Sequence, residues 1–260
     1  MSTETTTWQE VPTTGRFAGQ TVIVTGAGSG IGEATALRVA REGGKVIAAD
    51  ISSERLESLV SANPDLDLIP VAGDITDQQV VDSVVAAANG RVDALANVAG
   101  IMDKFEPIHE VEDSTWERVF NVNVTSILRL TRAVVPLMLE AGRGSVVNIS
   151  SEAGIRGSAA GAAYTASKHA VVGITKNSAV MYGKSGLRFN AVAPGATITN
   201  IEAPMDSVFA QQTLGPLMAV NVPTPATAAQ LAASITFLLS DDGTNLNGVI
   251  LASDGGWSAV

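Results

Sequence analysis

The sequence predicts an α/β fold, a single doubly wound parallel sheet of about seven strands with helices on both faces. Three observations predict it. Short β-branched runs alternate with longer stretches of helical character along the whole chain. The runs are apolar at successive positions, as strands buried on both faces must be. A glycine-dense turn, "TGAGSGIG", joins the first run to the first helical stretch.

The elements follow in order. Residues 1–15, "MSTETTTWQEVPTTG", are polar and Thr-rich, lack the basic start and apolar centre of a targeting segment, and read as a flexible extension. From residue 16 to 260 the chain reads as one domain. "TVIVTG" (21–26), "KVIAAD" (45–50), "LDLIPV" (66–71), "VDALANVAG" (92–100), "GSVVNIS" (144–150), "LRFNAVAP" (187–194) and "NGVILAS" (247–253) read as strands. Helical stretches fall near 30–43, 53–62, 77–90, 113–141, 158–184 and 225–240. Ser53, Thr76, Ser114 and Pro225 serve as start signals. Strand–helix alternation with right-handed crossovers makes the sheet parallel and doubly wound. The stretch 200–224 shows no clear pattern and reads as an irregular lid or binding loop.

Composition narrows the function. The 260 residues include no cysteine, so disulfides, thiolate nucleophiles and zinc fingers are excluded. The two histidines, His109 and His169, stand apart without ligand-like neighbours, and no metal site is expected. "SDDGTNLNG" (240–248) lacks calcium-loop spacing and reads as a turn. A net charge of −10 argues against nucleic acid or an anionic membrane as partner, and no run approaches the ~18–20 uncharged apolar residues of a membrane span. A soluble cytoplasmic protein acting on a small molecule is expected.

Four glycines at alternate positions, Gly26 to Gly32, weaken any regular element. Their place between a strand and a helix explains them: a helix N-terminus offers free N–H groups and partial positive charge to a diphosphate, and glycine lets the backbone approach. Neither G-x4-G-K-[ST] nor G-x-G-x-x-G fits. T-G-x-x-x-G-x-G does, with Thr25, Gly26, Gly30 and Gly32. Asp50 ends the second strand, where a Rossmann-type unit places an acid against the adenosine ribose. A carboxylate there accepts from both ribose hydroxyls and repels a 2′-phosphate. No Lys or Arg lies in the turn or immediately after Asp50, so the sequence favours NAD over NADP. Capping of the next helix is the compatible structural role for Asp50.

"AAYTASKHA" places Tyr164 and Lys168 one helical turn apart. Ser151 follows a strand thirteen residues before Tyr164, and Asn123 lies within a helical stretch, where Asn is a poor filler. With these residues the chain resembles the short-chain dehydrogenase/reductase family, in its shorter branch, from about Arg16 to the end. The resemblance rests on T-G-x-x-x-G-I-G at 25–32, Asp50, "GDIT" with Asp74, N-x-A-G at 97–100 and Asn123. It also rests on Ser151, Tyr164-x-x-x-Lys168, "APGATIT" at 193–199 and "DGGW" at 254–257. One departure stands out: the family's N-N-A-G reads "NVAG", keeping Asn97.

The resemblance implies hydride transfer between a secondary alcohol, or its ketone, and a nicotinamide. Tyr164 is then the general acid/base, Lys168 lowers its proton affinity and reaches the nicotinamide ribose, and Ser151 orients the substrate oxygen. Asn123 holds a water linking Lys168 to solvent. Cofactor contacts fall on Gly26, Ser29, Gly30 and Ile31 in the turn, on Asp50, and on Asp74 and Ile75 at the adenine. Asn97, Ala99 and Gly100 lie on the ribose side, and Pro194, Gly195, Thr197 and Thr199 at the nicotinamide and phosphates. Family members are usually homotetramers joined through the helices near 113–141 and 158–184.

Each residue also has a plainer role. Ser151 is suited to cap a turn and Asn123 to make structural hydrogen bonds. Met102, Met205, Phe209, Leu214 and Met218 line a substrate pocket or simply pack a lid. Apolar residues there suggest a mid-sized apolar or cyclic substrate. Glu152 and Arg156 read as solvated loop charges, and His169 as a surface or interface residue. Two other functions stand beside this reading. One is reduction of carrier-linked 3-oxoacyl groups, which Asp50 and the negative charge count against. The other is a non-catalytic dinucleotide sensor, which the complete Ser–Tyr–Lys–Asn set counts against.

Overall fold

The computed structural model describes residues 8–260; the first part of the expected extension, residues 1–7, lies outside the described residues. The chain runs β1 (Thr21–Thr25), α1 (Gly30–Arg41), β2 (Lys45–Asp50), α2 (Ser53–Ala62), β3 (Leu68–Ala72), α3 (Gln78–Ala87) and β4 (Ala94–Asn97). It continues through α4 (Asp113–Phe120), a π turn (Asn121–Thr125), α5 (Ser126–Ala141), β5 (Gly144–Ile149), α6 (Ala162–Tyr182) and β6 (Leu187–Pro194). The last part holds β7 (Thr197–Ile198), α7 (Val208–Asn221), β8 (Ala226–Thr227), α8 (Ala228–Leu239) and β9 (Ile250–Ser253).

Seven parallel strands form one sheet in the order β3-β2-β1-β4-β5-β6-β9, as the alternation of strands and helices predicts. Side chains alternate across it. Val22, Val24, Val46 and Ala48 face the layer with α1, α2 and α8, whereas Ile23, Ile47 and Ala49 face the layer with α3 and α5. All seven are fully buried, so both faces of the sheet bury apolar surface. The strand order reverses between β1 and β4. There the C-terminal strand ends diverge and leave a crevice, the usual ligand place in such sheets.

Helix starts differ slightly from the sequence signals. The caps are Ser52, Asp77, Glu112 and Thr227 in place of Ser53, Thr76, Ser114 and Pro225, because a capping residue must itself be extended. Thr227 and Gln230 form a reciprocal capping box. The expected helix over 158–184 begins only at Ala162. The stretch 200–224 is not irregular throughout: α7 occupies Val208–Asn221, capped by Ser207, whose hydroxyl accepts from Ala210 N at 3.0 Å. Its weak sequence pattern reflects a helix with little buried surface, only Ala210 being buried.

Residues 8–15 form no regular element, but they are tied down. Glu10 pairs with Arg38 and Arg41 at 3.2 Å, and Thr13 N donates to Glu42 at 3.0 Å. The segment Asp113–Ala141 has the length and apolarity of a membrane-spanning helix. Its Leu130, Val134, Val135 and Met138 are instead buried in the core layer beneath the sheet.

Candidate active site

The crevice at the strand ends holds a cleft of about 520 Å³. Gly26 follows β1 with φ +67°, and a Cβ there would also lie 3.1 Å from the Ala99 backbone. Gly32, in the first turn of α1, packs so closely on that bend that a Cβ would sit 2.0 Å from the Gly26 carbonyl oxygen. Thr25 joins the two sides, its hydroxyl accepting from Val98 N and Ala99 N at 2.9 and 3.1 Å. Ser29 precedes α1 in extended conformation, and its side chain caps nothing. The N-terminus of α1 is therefore open to the cleft, with the spare N–H groups and positive dipole end that fit a diphosphate. Ser29, Gly30 and Ile31 line the cleft with Gly26.

Asp50 stands at the end of β2, 6% exposed. Its carboxylate accepts from Gly28 N and Ser52 N at 2.9 Å each and pairs with Arg55 at 3.0 Å. No cation stands in the glycine turn or immediately after Asp50 in the sequence. The first turn of α2 brings Arg55 to the same place from five residues on. Asp74 and Ile75, expected at the adenine, line this cleft, as do Ala99 and Gly100, expected on the ribose side. Thr199 closes the mouth over Gly30, 3.3 Å from where a Cβ on that glycine would lie.

Asn97 sits apart from this wall. Its amide donates to Asn148 Oδ1 at 2.8 Å and Thr131 at 3.3 Å, bridging β4 to β5 and α5, and it is buried. Pro194 and Gly195, at the end of β6, and Thr197, which opens β7, are also outside the cleft lining. A Cβ on Gly195 would lie 2.9 Å from the Asp254 backbone, and Thr197 Oγ1 donates to the Gly195 carbonyl at 3.1 Å.

Beyond the cleft, four polar side chains converge. The π turn between α4 and α5 turns Asn123 inward, fully buried. Asn123 brackets one residue: its Oδ1 accepts from Ile101 N and its Nδ2 donates to the Ile101 carbonyl, both at 2.9 Å. It also donates to Ser167 Oγ at 3.1 Å. Lys168, buried on α6, donates from Nζ to the Ile149 carbonyl at 2.9 Å. A Cβ on Gly100 would meet Asn123 Oδ1 and Lys168 Nζ at 3.3 Å each, so glycine alone leaves this junction open. Tyr164 lies one turn earlier on α6, its ring 5.3 Å from Lys168 Nζ. Ser151 caps the short turn Glu152–Gly154 through Ala153 N at 3.1 Å, and its hydroxyl is near enough to Tyr164 to favour the phenolate.

Burial sets the electrostatics. It lowers Lys168 to about 8, since an ammonium loses hydration there. It also raises the Tyr164 phenol to about 12, with Ser151 pulling downward and the charge of Asp103 pushing upward. The protein's own groups thus hold the phenol protonated at neutral pH.

Tyr164 belongs at the same time to an apolar cluster with Phe105, Ala210 and Trp257, against which Met102, Met205, Leu214 and Met218 pack. Phe209 does not join it. That ring is half exposed and stands edge-on to His109 at 5.5 Å.

The reading of Glu152 as a solvated loop charge is overturned: the residue is fully buried. It pairs with Arg156 and lies close to the Asp254 carboxylate. Burial raises its carboxyl to about 7, with Arg156 opposing and Asp254 reinforcing. Asp254 is held low: burial acts upward, but bonds from Ser258 and the Gly256 and Ser258 amides outweigh it. Its neighbour Ser151 held no hint of this, because Asp254 arrives from β9. Among the described residues no cluster of three or more His, Asp or Glu could hold a metal ion.

Comparison with known proteins places this geometry. Residues 20–208 match the family described as short chain dehydrogenase. The chain is 40% identical to 3beta-hydroxysteroid dehydrogenase 2 of Eggerthella lenta, over 94% of this chain and 96% of that one. The crystal structure of levodione reductase superposes with a TM-score of 0.84 at 36% identity, covering 94% and 99% of the two chains. An NAD(P) dependent gluconate 5-dehydrogenase, so described, from Beutenbergia cavernae has bound NADP at low occupancy (TM-score 0.81, 34% identity, 95% and 100% covered). The 3-ketoacyl-(acyl-carrier-protein) reductase of Brucella melitensis is complexed with NADH (TM-score 0.83, 31% identity, 93% and 99% covered). Matched by this family over residues 20–208 and similar to such relatives along nearly its full length, the chain belongs to the short-chain dehydrogenase/reductase family of oxidoreductases.

Proposed function

We propose that this protein interconverts a secondary alcohol and its ketone using NAD(H), with Tyr164 as general acid/base. The observation that carries the reading is the convergence of Tyr164, Ser151, Lys168 and Asn123 beside the glycine cradle. The cradle suits a dinucleotide: Ser29, Gly30 and Ile31 would hold the diphosphate, Asp50 the adenosine ribose, and Asp74 and Ile75 the adenine. When bound, the dinucleotide supplies the hydride acceptor or donor and, when oxidised, a positive charge. Lys168, already short of proton affinity through burial, adds cationic character beside the phenol. In oxidation Tyr164 acts as the phenolate, its own proton having left toward solvent past Lys168; its Oη takes the alcohol O–H proton as the carbinol C–H leaves as hydride, so a C=O forms. In reduction Tyr164 returns that proton to the carbonyl oxygen. Ser151 orients the oxygen from the other side. Asn123 keeps Ile101 and the floor beneath Lys168 in place, and the water path to solvent belongs to it on this reading.

NAD is favoured over NADP because the nearest cation, Arg55, is already paired with Asp50, whose carboxylate would face a 2′-phosphate. The apolar cluster of Met102, Met205, Leu214 and Met218 around Tyr164 suits a mid-sized, largely apolar substrate, in keeping with a relative named for a hydroxysteroid. Self-association through α5 and α6 is part of the proposal. Leu128 and Leu139 on α5 are exposed and line a groove between the two helices, and Val180 and Met181 are exposed on α6; sedimentation at several concentrations tests it.

Replacing Tyr164 with Phe tests the chemistry. Across a panel of cyclic and steroidal alcohols, Y164F should lose roughly 100-fold or more in turnover while NADH fluorescence titrations stay near wild type. Wild-type-like turnover in Y164F would remove the acid/base assignment.

A further inference from the structure

Helix α6 begins without a side chain of its own to cap it. Gly161 precedes the helix in extended conformation and, as glycine, offers no acceptor to the first-turn amides. The acceptor comes from elsewhere. Asp103, in the irregular segment after β4, is 1% exposed. Its Oδ1 accepts from Gly161 N at 3.1 Å and its Oδ2 from Tyr164 N at 2.8 Å. Tyr164 is the third residue of the helix, the position an N-cap side chain normally serves. The segment adds the Glu106 carbonyl, which accepts from Ala162 N at 2.9 Å.

The clamp fits tightly. A Cβ on residue 161 would lie 2.6 Å from both Asp103 Oδ2 and Glu106 N, so Gly161 is what lets the two segments close. Asp103 also accepts from Phe105 N at 3.0 Å, and Phe105 holds the left-handed conformation, φ +60°. A non-glycine residue adopts that conformation only when its surroundings fix it.

We infer that Asp103 is the positioning residue for Tyr164, a carboxylate cap supplied from 61 residues away that sets where the phenol enters the pocket. The inference rests on the assignment of Tyr164 as acid/base and deepens it. A negative charge here favours the helix N-terminus but opposes a phenolate on the same residue. The charged groups facing Tyr164 are Asp103 and Lys168, and the Ser151 hydroxyl acts on the phenol in the direction opposite to Asp103. Asp103 thus holds Tyr164 in place and keeps its proton on until the bound cofactor and Lys168 draw it off.

The test needs no known substrate. The chain has two tyrosines, so absorbance at 295 nm against pH, with Y164F as reference, follows the Tyr164 phenolate alone. With NAD⁺ saturating, D103N should shift that midpoint to lower pH, because its one amide oxygen can keep the bond from Tyr164 N, giving up those from Gly161 N and Phe105 N, while the opposing charge is gone. D103A, which loses the clamp as well, should lose roughly tenfold or more in kcat on any alcohol the panel yields, with NADH affinity kept. An unmoved midpoint in D103N overturns the inference. Should neither variant fold, hydrogen exchange in the wild type decides: a peptide over 158–168 must be protected, and rapid exchange of its first-turn amides refutes the clamp. The two readings fail separately. If Y164F keeps turnover while D103N still shifts the midpoint, the acid/base assignment falls and the clamp stands. If Y164F is inactive and the midpoint is fixed, only the clamp falls.

Discussion

Glu152 offers a prediction whose size follows from the structure. Its carboxyl is buried and raised from an ordinary 4.5 to about 7, so the folded protein holds a proton there that the unfolded chain has released. For a raised carboxyl, the linked stability is present in acid and is lost as pH rises through the folded value. A rise from 4.5 to about 7 corresponds to about 3 kcal/mol over the full range. Of this, about 2 to 3 kcal/mol falls between pH 5 and pH 8.5. E152Q keeps the shape and cannot ionise. Urea unfolding of both proteins at fixed concentration, followed by circular dichroism at several pH values, reads the difference. Stability of the wild type relative to E152Q should fall by that amount as pH rises, since the other carboxyls titrate alike in both. The lost Arg156 ion pair adds an offset but little slope. A pH-independent difference would refute the buried proton. A difference that grows in favour of the wild type with rising pH would show that Arg156 holds Glu152 ionised.

Other outcomes are equally concrete. G32A places a methyl against the Gly26 carbonyl; it should cost about 1–3 kcal/mol in urea unfolding and weaken NADH binding measured by fluorescence. N123A strands the buried N–H and C=O of Ile101, at about 1–3 kcal/mol for each group, seen as a lowered urea midpoint. D50N should narrow the preference for NADH over NADPH by at least about tenfold. R55A should leave NADH affinity nearly unchanged and weaken NADPH further; competition titrations with both nucleotides check the pair.

Much of this molecule could be read before any coordinates. Seven strands lie within a few residues of their expected places, because each is a short β-branched run between turns. The glycine turn, Asp50 and the Tyr164–Lys168 pair were visible because their function depends on spacing within one element. Helix α7 carries no clear sequence signal because its apolar residues are mostly exposed and leave no single buried stripe. Arg55 is not adjacent to Asp50 in the sequence, and the first turn of α2 closes that gap.

What the chain alone determined is local: strands, helices, a bend that only glycine can make, and two side chains one helical turn apart. Periodicity and backbone sterics act over a few residues, so a linear reading reaches them. The partnerships of Asn123 with Ile101, Asp103 with Tyr164 and Glu152 with Asp254 were settled only when strand ends from distant parts of the chain met. Burial then changed what those residues are, since removing water from a carboxyl, a phenol or an ammonium alters its proton affinity in a way no spacing encodes.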